Sequence, residues 1–195
     1  MVLQSSPNLI KGFALCGEPG NGKSSITQEL ATILGWQRRS FAGPLKDEVA
    51  YALGSAELLT FSTNPRAKVP TKIFRDEMDN PAVKDKYRTI LQWWGTEYRR
   101  AQDSEYWIKA FEKSIQFGAT GLRFVVDDCR FNNEYEKLRF YGVRFVLLQP
   151  GETTRPVQEH ASEMDWKGWQ YDLSLTYELG PKHQADRICQ FFGLS

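Results

Sequence analysis

The chain has 195 residues and sets 25 Lys+Arg against 24 Asp+Glu, a formal net charge of +1. That length supports one well-buried core and is too short for two substantial domains with a wide cleft between them, so one α/β domain with insertions is expected. The near-neutral balance excludes a global field that would hold the protein on nucleic acid or an anionic membrane, and any DNA contact has to come from a local patch.

Cys16, Cys129 and Cys189 are odd in number and far apart, which suits reduced thiols and offers no metal-ligand spacing. The first ten residues lack the basic start and apolar stretch of a secretory signal, and no apolar run is long enough to span a bilayer. A soluble, cytoplasmic protein with no membrane contact is the expectation.

In chain order, residues 1–8 read as a frayed tail. Gly12-Phe13-Ala14-Leu15-Cys16 then reads as a short buried strand, and Ile26, Leu30, Ile33 and Leu34 recur at helical spacing after it. Between them lies Gly17-Glu18-Pro19-Gly20-Asn21-Gly22-Lys23-Ser24. A glycine, four free positions and Gly-Lys-Ser make the P-loop (Walker A) pattern, here in the strand-to-helix context that it needs. Its glycines let the backbone bring N–H groups against phosphate oxygens, and the helix start offers further N–H groups and the positive end of its dipole. Lys23 can reach the β- and γ-phosphates and the Ser24 hydroxyl can ligate Mg²⁺, so ATP or GTP binding is the primary expectation.

Trp36 to Phe41 reads as a second strand whose end lies beside the P-loop, followed by a helix over Leu45 to Leu53 that begins at Pro44 and closes at Gly54. Lys46, in its first turn, can meet an acceptor anion or simply be solvated. From Ser55 to Lys86, with Pro65, Pro70 and Pro81, the pattern weakens to an irregular insertion with short helices. Tyr87, Ile90, Leu91, Trp94, Tyr98 and Ala101 then form one apolar helical face, with Arg88, Gln92, Gly95 and Arg99 together on another side. A glycine inside a helix costs about 1 kcal/mol against alanine, so something packs close to the backbone there. Trp93 points about 100° from Trp94, where it can be exposed and stack on a base.

Trp107, Ala110, Phe111 and Ile115 mark the next helix, and Leu122 to Val126 a buried strand that delivers Asp127 and Asp128 to its carboxyl end. That run resembles a Walker B element, in which a carboxylate holds Mg²⁺, with Asp128 ahead of Asp127. Arg130 suits a phosphate or an ion pair with the neighbouring acids. A helix over Asn133 to Tyr141, a strand over Val143 to Leu148, a polar loop opened by Pro150-Gly151, a strand over Tyr171 to Thr176 and a helix striped by Ala185, Ile188, Cys189 and Phe192 complete the chain. His160-Ala161-Ser162-Glu163 reads as a capped loop. Strands alternate with helices, so a parallel sheet covered on both faces is expected.

In order and spacing, Gly17 to Ser24, Phe41 to Lys46, Arg88 to Arg100, Trp107-Ile108, Asp128 to Glu134, Pro150-Gly151 and His160 to Glu163 resemble the bacteriophage deoxynucleoside monophosphate kinases. These are a branch of the P-loop nucleotide kinases, and the likeness runs from about Lys11 to about Leu179. It implies a three-layer P-loop kinase fold, with a parallel sheet flanked by helices, an acceptor-binding insertion over residues 55–86 and a lid over residues 150–168. It also implies transfer of the ATP γ-phosphoryl group to a deoxynucleotide with Mg²⁺. Gly17, Glu18, Pro19, Gly20, Asn21, Gly22, Lys23, Ser24 and Ser25 would hold the donor, and Ser24 and Asp128 the metal. Lys23, Asp128 and Arg130 would be the catalytic set, and Phe41, Lys46, Arg88, Gln92 and, from the lid, Arg155 would shape the acceptor side.

The chain departs from that family at Ser24, where members have Asp, at Gln149, where they have Arg, and at Tyr177, where they have Asn. Loss of an arginine near the lid weakens the grip on a small monophosphate. Related phage kinases act on 5-hydroxymethyluracil within DNA, so such DNA is the alternative acceptor, with Asp128 as base or hydroxyl-orienting group. Arg38, Arg39, Arg66, Lys68 and Lys72 could then contact its phosphates. A P-loop protein that binds nucleotide without transferring phosphate is the reading from another class, and a homodimer is left open.

Overall fold

All five residues of the central strand β1 (Gly12–Cys16) are buried, as an apolar run without polar alternation requires when both faces of a sheet are covered. The computed structural model describes residues 10–18, 20–61, 71–80, 82–116, 122–150, 165–176 and 178–194. Within these residues β1 joins β2 (Gln37–Arg39), β3 (Phe124–Val126), β4 (Val143–Gln149) and β5 (Leu173–Thr176) in a five-stranded sheet of order β2-β3-β1-β4-β5. Every pairing is parallel. Helices α1 (Lys23–Leu34), α2 (Ala42–Phe61), α3 (Thr71–Asp79), α4 (Arg88–Gln92), α5 (Tyr106–Gln116), α6 (Asn132–Phe140) and α7 (Gly180–Phe192) complete the described framework. The expected parallel α/β sheet flanked by helices is what the chain forms.

Contacts divide the chain into two compact units, one from Met1–Ser40 with Lys113–Ser195 and one from Phe41–Glu112. The first holds the sheet. On one of its faces Phe13, Leu15, Val125, Val146, Leu148 and Leu175 pack with Ile26 and Leu30 of α1 and Ala185, Ile188 and Cys189 of α7. Phe145, next to Val146 and so turned the other way, meets Tyr135 of α6 with ring centroids 4.7 Å apart. Helix α1 ends where the sequence puts it, with Gly35 at φ 64° donating its N–H to Ala31.

The second unit is helical. Val49, Ala50, Met78 and Tyr87 form its buried core, with Leu45, Leu53, Phe74, Ile90, Leu91 and Trp94 packed around them. Two expectations are corrected here. Gly54 does not close α2, which runs on to Phe61 with Gly54 buried inside it, because tertiary packing overrides a weak local preference. The helix after Tyr87 is not regular either: α4 passes into a π-helical stretch, Trp93–Arg100, whose wider turn shifts every later side chain off the 3.6-residue register. Ala101 is accordingly exposed instead of lying on the apolar face.

Strands β2, β3 and β5 are shorter than expected. The tail over residues 1–8, Arg66 and Lys68 of the basic patch, and the loop with Arg155 and His160 to Glu163 lie outside the described residues. Among the described residues no helix is long and apolar enough to cross a membrane.

Candidate phosphate-binding site

The loop after β1 turns on glycines in the left-handed region, where a side chain would be strained. Gly17 has φ 132° and Gly22, the N-cap of α1, has φ 70°. A Cβ on Gly17 would also collide with the carbonyl oxygen of Leu148 in β4, so only glycine fits where the loop leaves the strand. No side chain caps α1, which leaves its first N–H groups directed at the loop, the arrangement that favours an anion. Pro19 lies outside the described residues, and Ser24 and Ser25 are exposed at the helix start.

Lys23 lies across the loop, its Nζ donating to the carbonyls of Gly17 at 2.8 Å and Glu18 at 2.6 Å. Asn21 is almost fully buried, and its Nδ2 donates to the Leu148 carbonyl at 3.1 Å. Beside the loop lies a cavity of about 70 Å³ lined by Leu15, Cys16, Gly17, Lys23, Asp127, Cys129, Arg130 and Trp166. On that measure a single water needs only about 10–15 Å³, so the space admits a phosphoryl group. Two cations and one carboxylate share it with two thiols, an indole and a leucine. Burial pushes the Cys16 thiol up to about 12 despite nearby Lys23 and Arg139, so it stays neutral.

The two strand-end acids have different surroundings. Asp127 lines the cavity and pairs with Arg38 at 3.4 Å. Asp128 accepts from the Ser40 hydroxyl at 2.6 Å. That contact follows from the strand order and corrects the expected position of Ser40: β2 pairs with β3 and not with β1, so the end of β2 meets Asp128 instead of the P-loop. Arg130 is fixed from its backbone, whose N–H donates to the buried Glu134 carboxylate at 2.9 Å, while the Phe131 N–H reaches the same oxygen at 3.3 Å.

Trp166 enters the cavity wall from a short 3₁₀ turn, Asp165–Gly168. Asp165 accepts from the Asn132 N–H at 3.1 Å, Trp169 Nε1 donates to Asn132 Oδ1 at 2.6 Å, and the Tyr171 hydroxyl donates to the Trp166 carbonyl. Nothing in the sequence pattern around Trp166 signalled this, because two of these bonds run to Asn132, more than thirty residues away.

Of the residues expected on the acceptor side, Phe41, Lys46, Arg88 and Gln92 lie in the second unit, and Arg155 lies outside the described residues. Phe41 is 4% exposed and stacks on Phe111 at 4.3 Å. Lys46 pairs with Asp79 at 2.8 Å and Arg88 with Asp85 at 2.6 Å, while Gln92 is half-buried. The glycine of the expected polar stripe has its explanation: Gly95 is buried, a Cβ there would stand 3.0 Å from Leu45 Cδ2, and its carbonyl accepts from Trp107 Nε1 at 3.0 Å. Arg99 donates to Glu48 at 2.9 Å, and Glu48 also accepts from Trp94 Nε1 at 3.0 Å and from the Tyr106 hydroxyl. Trp93 is 52% exposed and lies flat on Tyr98, five residues on, as the π-helical turn brings it.

No model of a known protein family matches the sequence. Among solved structures the chain is similar to dephospho-CoA kinase from Campylobacter jejuni, at 16% identity over 94% of this chain and 98% of that one, with a TM-score of 0.44. It is also similar to the APS kinase of Mycobacterium tuberculosis, at 16% identity over 94% and 99% of the two chains and a TM-score of 0.39. A gluconokinase from Sinorhizobium meliloti 1021 matches at 15% identity over 95% and 97%, with a TM-score of 0.41.

Proposed function

We propose that the protein is an ATP-dependent phosphotransferase acting on a deoxynucleotide, a deoxynucleoside monophosphate kinase of the phage type. The reaction is dNMP + ATP → dNDP + ADP, in which an acceptor phosphate oxygen attacks the γ-phosphorus and the bond to the bridging oxygen breaks. The observation that carries the reading is that Gly17 of the glycine loop, Lys23, Arg130 and Asp127 line one cavity that admits a phosphoryl group.

Lys23 exchanges its two carbonyl partners for β- and γ-phosphate oxygens, and the loop N–H groups hold the rest of the chain of phosphates. Arg130, held by its backbone, presents a planar fork to the transferring group. Ser24 and Asp128, with Asp127 next to Asp128 in sequence, are hard oxygen donors of the kind Mg²⁺ takes, and the described residues offer no cluster of three acids, cysteines or histidines that would form a protein-only cage. When bound there, the metal would neutralise phosphate charge. Catalysis is then alignment plus charge neutralisation. Phe41, Lys46, Arg88 and Gln92 are the second unit's candidates for the acceptor, and Arg155 is a further candidate.

A second reading, phosphorylation of 5-hydroxymethyluracil within DNA, is favoured by the exposed Trp93 ring on its Tyr98 support, which suits a base taken out of the stack. Incubation with γ-labelled ATP and Mg²⁺ against a panel of deoxynucleoside monophosphates and against duplex DNA containing hydroxymethyluracil decides. Label on a monophosphate supports the first reading and label retained on DNA the second. ATP binding with no transfer to either would leave a non-catalytic nucleotide-binding protein.

A further inference from the structure

Asn21 stands between two glycines in the phosphate-binding loop and is 2% exposed. Its Nδ2 donates to the Leu148 carbonyl, from the strand β4 that lies 127 residues away in sequence. The same carbonyl oxygen occupies the place that a Cβ on Gly17 would need. One main-chain oxygen of β4 therefore bears on the loop at two points, where the chain leaves β1 and just before it enters α1. The other amide atom of Asn21, Oδ1, is buried without a hydrogen-bond partner among the described residues. A buried acceptor left unpaired costs stability, so this side chain is not what the fold alone would favour.

We infer that Asn21 is a positioning residue for the triphosphate: its Nδ2 bond to Leu148 fixes the width of the loop and so where the loop's N–H groups meet phosphate oxygens. The inference rests on the reading of this loop as the ATP site and adds a side-chain role to a motif read through its backbone. Without the strut, the loop has to be ordered by the ligand, and that ordering is subtracted from the binding.

Titration calorimetry with Mg-ATP, paired with thermal melting, tests it on the full chain. Asn21→Ala should bind ATP about tenfold more weakly while melting within about 3 °C of the wild type, because losing the strut is offset by removing the unpaired Oδ1. Asn21→Asp keeps the size and loses the donor, and at pH 8 should bind more weakly still. Protonation restores a donor to that carboxyl, so its deficit against wild type should shrink as the pH falls toward about 5, burial having raised its titration range. A residue that only holds the fold would lose melting temperature and affinity together and show no such recovery.

ATP affinity within twofold of wild type in Asn21→Ala, or a deficit in Asn21→Asp that does not change with pH, overturns the inference. Should the alanine variant not fold, the size-matched aspartate decides. A wild type that binds no Mg-ATP overturns the nucleotide reading and this inference with it, whereas a wild type that binds with both variants unimpaired overturns this inference alone.

Discussion

Lys23 and Gly17 carry the chemistry of the loop in different ways, and their variants should fail differently. Lys23 is only partly buried and its bonds go to loop carbonyls that water can reach, so Lys23→Ala should leave the melting temperature nearly unchanged. Its ammonium has its main task on the transferring group, and turnover should fall about 10²-fold or more, as when one preorganised donor is lost from a charge-stabilising site. Steady-state phosphoryl transfer beside a melting curve checks both halves. Gly17→Ala reverses the balance: φ 132° is strained for any side chain and the Leu148 oxygen blocks the new Cβ. Strain of this kind costs on the order of 1–3 kcal/mol before the collision is counted, so this variant should melt lower and lose ATP binding together. The motif letters were legible because backbone geometry restricts which residues fit. Asn21 and Ser40 were not legible as partners of Leu148 and Asp128, since those contacts exist only once distant strands pair.

At the scale of elements, the stretch from Tyr87 to Arg100 shows what periodicity can and cannot reveal. Spacing placed Ile90, Leu91 and Trp94 on the packed side, and they do pack around the core of the second unit. It did not reveal the π-helical turn, because counting in steps of 3.6 assumes the geometry that changes there. The turn brings Trp93 over Tyr98 and sends Arg99 to Glu48 on α2. Burial alone would raise the Glu48 carboxyl, but hydrogen bonds from Tyr106, Trp94 and Arg99 outweigh it and hold the group below the usual carboxylate range. Arg99 also lies over the Tyr98 ring at 5.1 Å and the Tyr106 ring at 4.7 Å. One carboxylate thus ties α2 to the π-helical stretch and to α5. Glu48→Ala leaves three donors without their acceptor, at a cost of about 1–3 kcal/mol, moderated by the partial exposure of the pair. Urea denaturation followed by tryptophan fluorescence should show the lower midpoint, and a midpoint equal to wild type would mean that the three donors find water without loss.

For the whole molecule, the alternation of strands and helices and the loop between β1 and α1 made the parallel sheet legible, whereas the division into two units was not, because it depends on contacts between segments far apart in sequence. That division has a consequence in acid. Glu48, Glu77, Asp79 and Asp103 all belong to the second unit, and each is held below its ordinary range. For Glu48 and Asp79 burial acts upward and is outweighed, at Asp79 by hydrogen bonds and charges from Lys46 and Arg75. For Glu77 and Asp103 the leading causes are hydrogen bonds from Tyr87 and from Lys109. A carboxylate with a depressed folded-state pKa contributes stability that is fully present above its unfolded value, about 4, and is lost as the pH falls through the lower folded value. The second unit should therefore keep its stability from neutrality down to about pH 4 and lose it progressively below. Amide hydrogen exchange at pH 7, 4 and 3, corrected for intrinsic rates, should show protection in α2, α3 and the π-helical stretch unchanged between the first two values and falling at the third. Glu48→Gln should flatten that fall, because the glutamine has no proton to take up while its one carbonyl oxygen, placed where Oε2 stands, still accepts from Trp94 and its amide nitrogen can donate to the Tyr106 oxygen; a fall of the same size in this variant would move the acid sensitivity away from Glu48 to the other carboxylates.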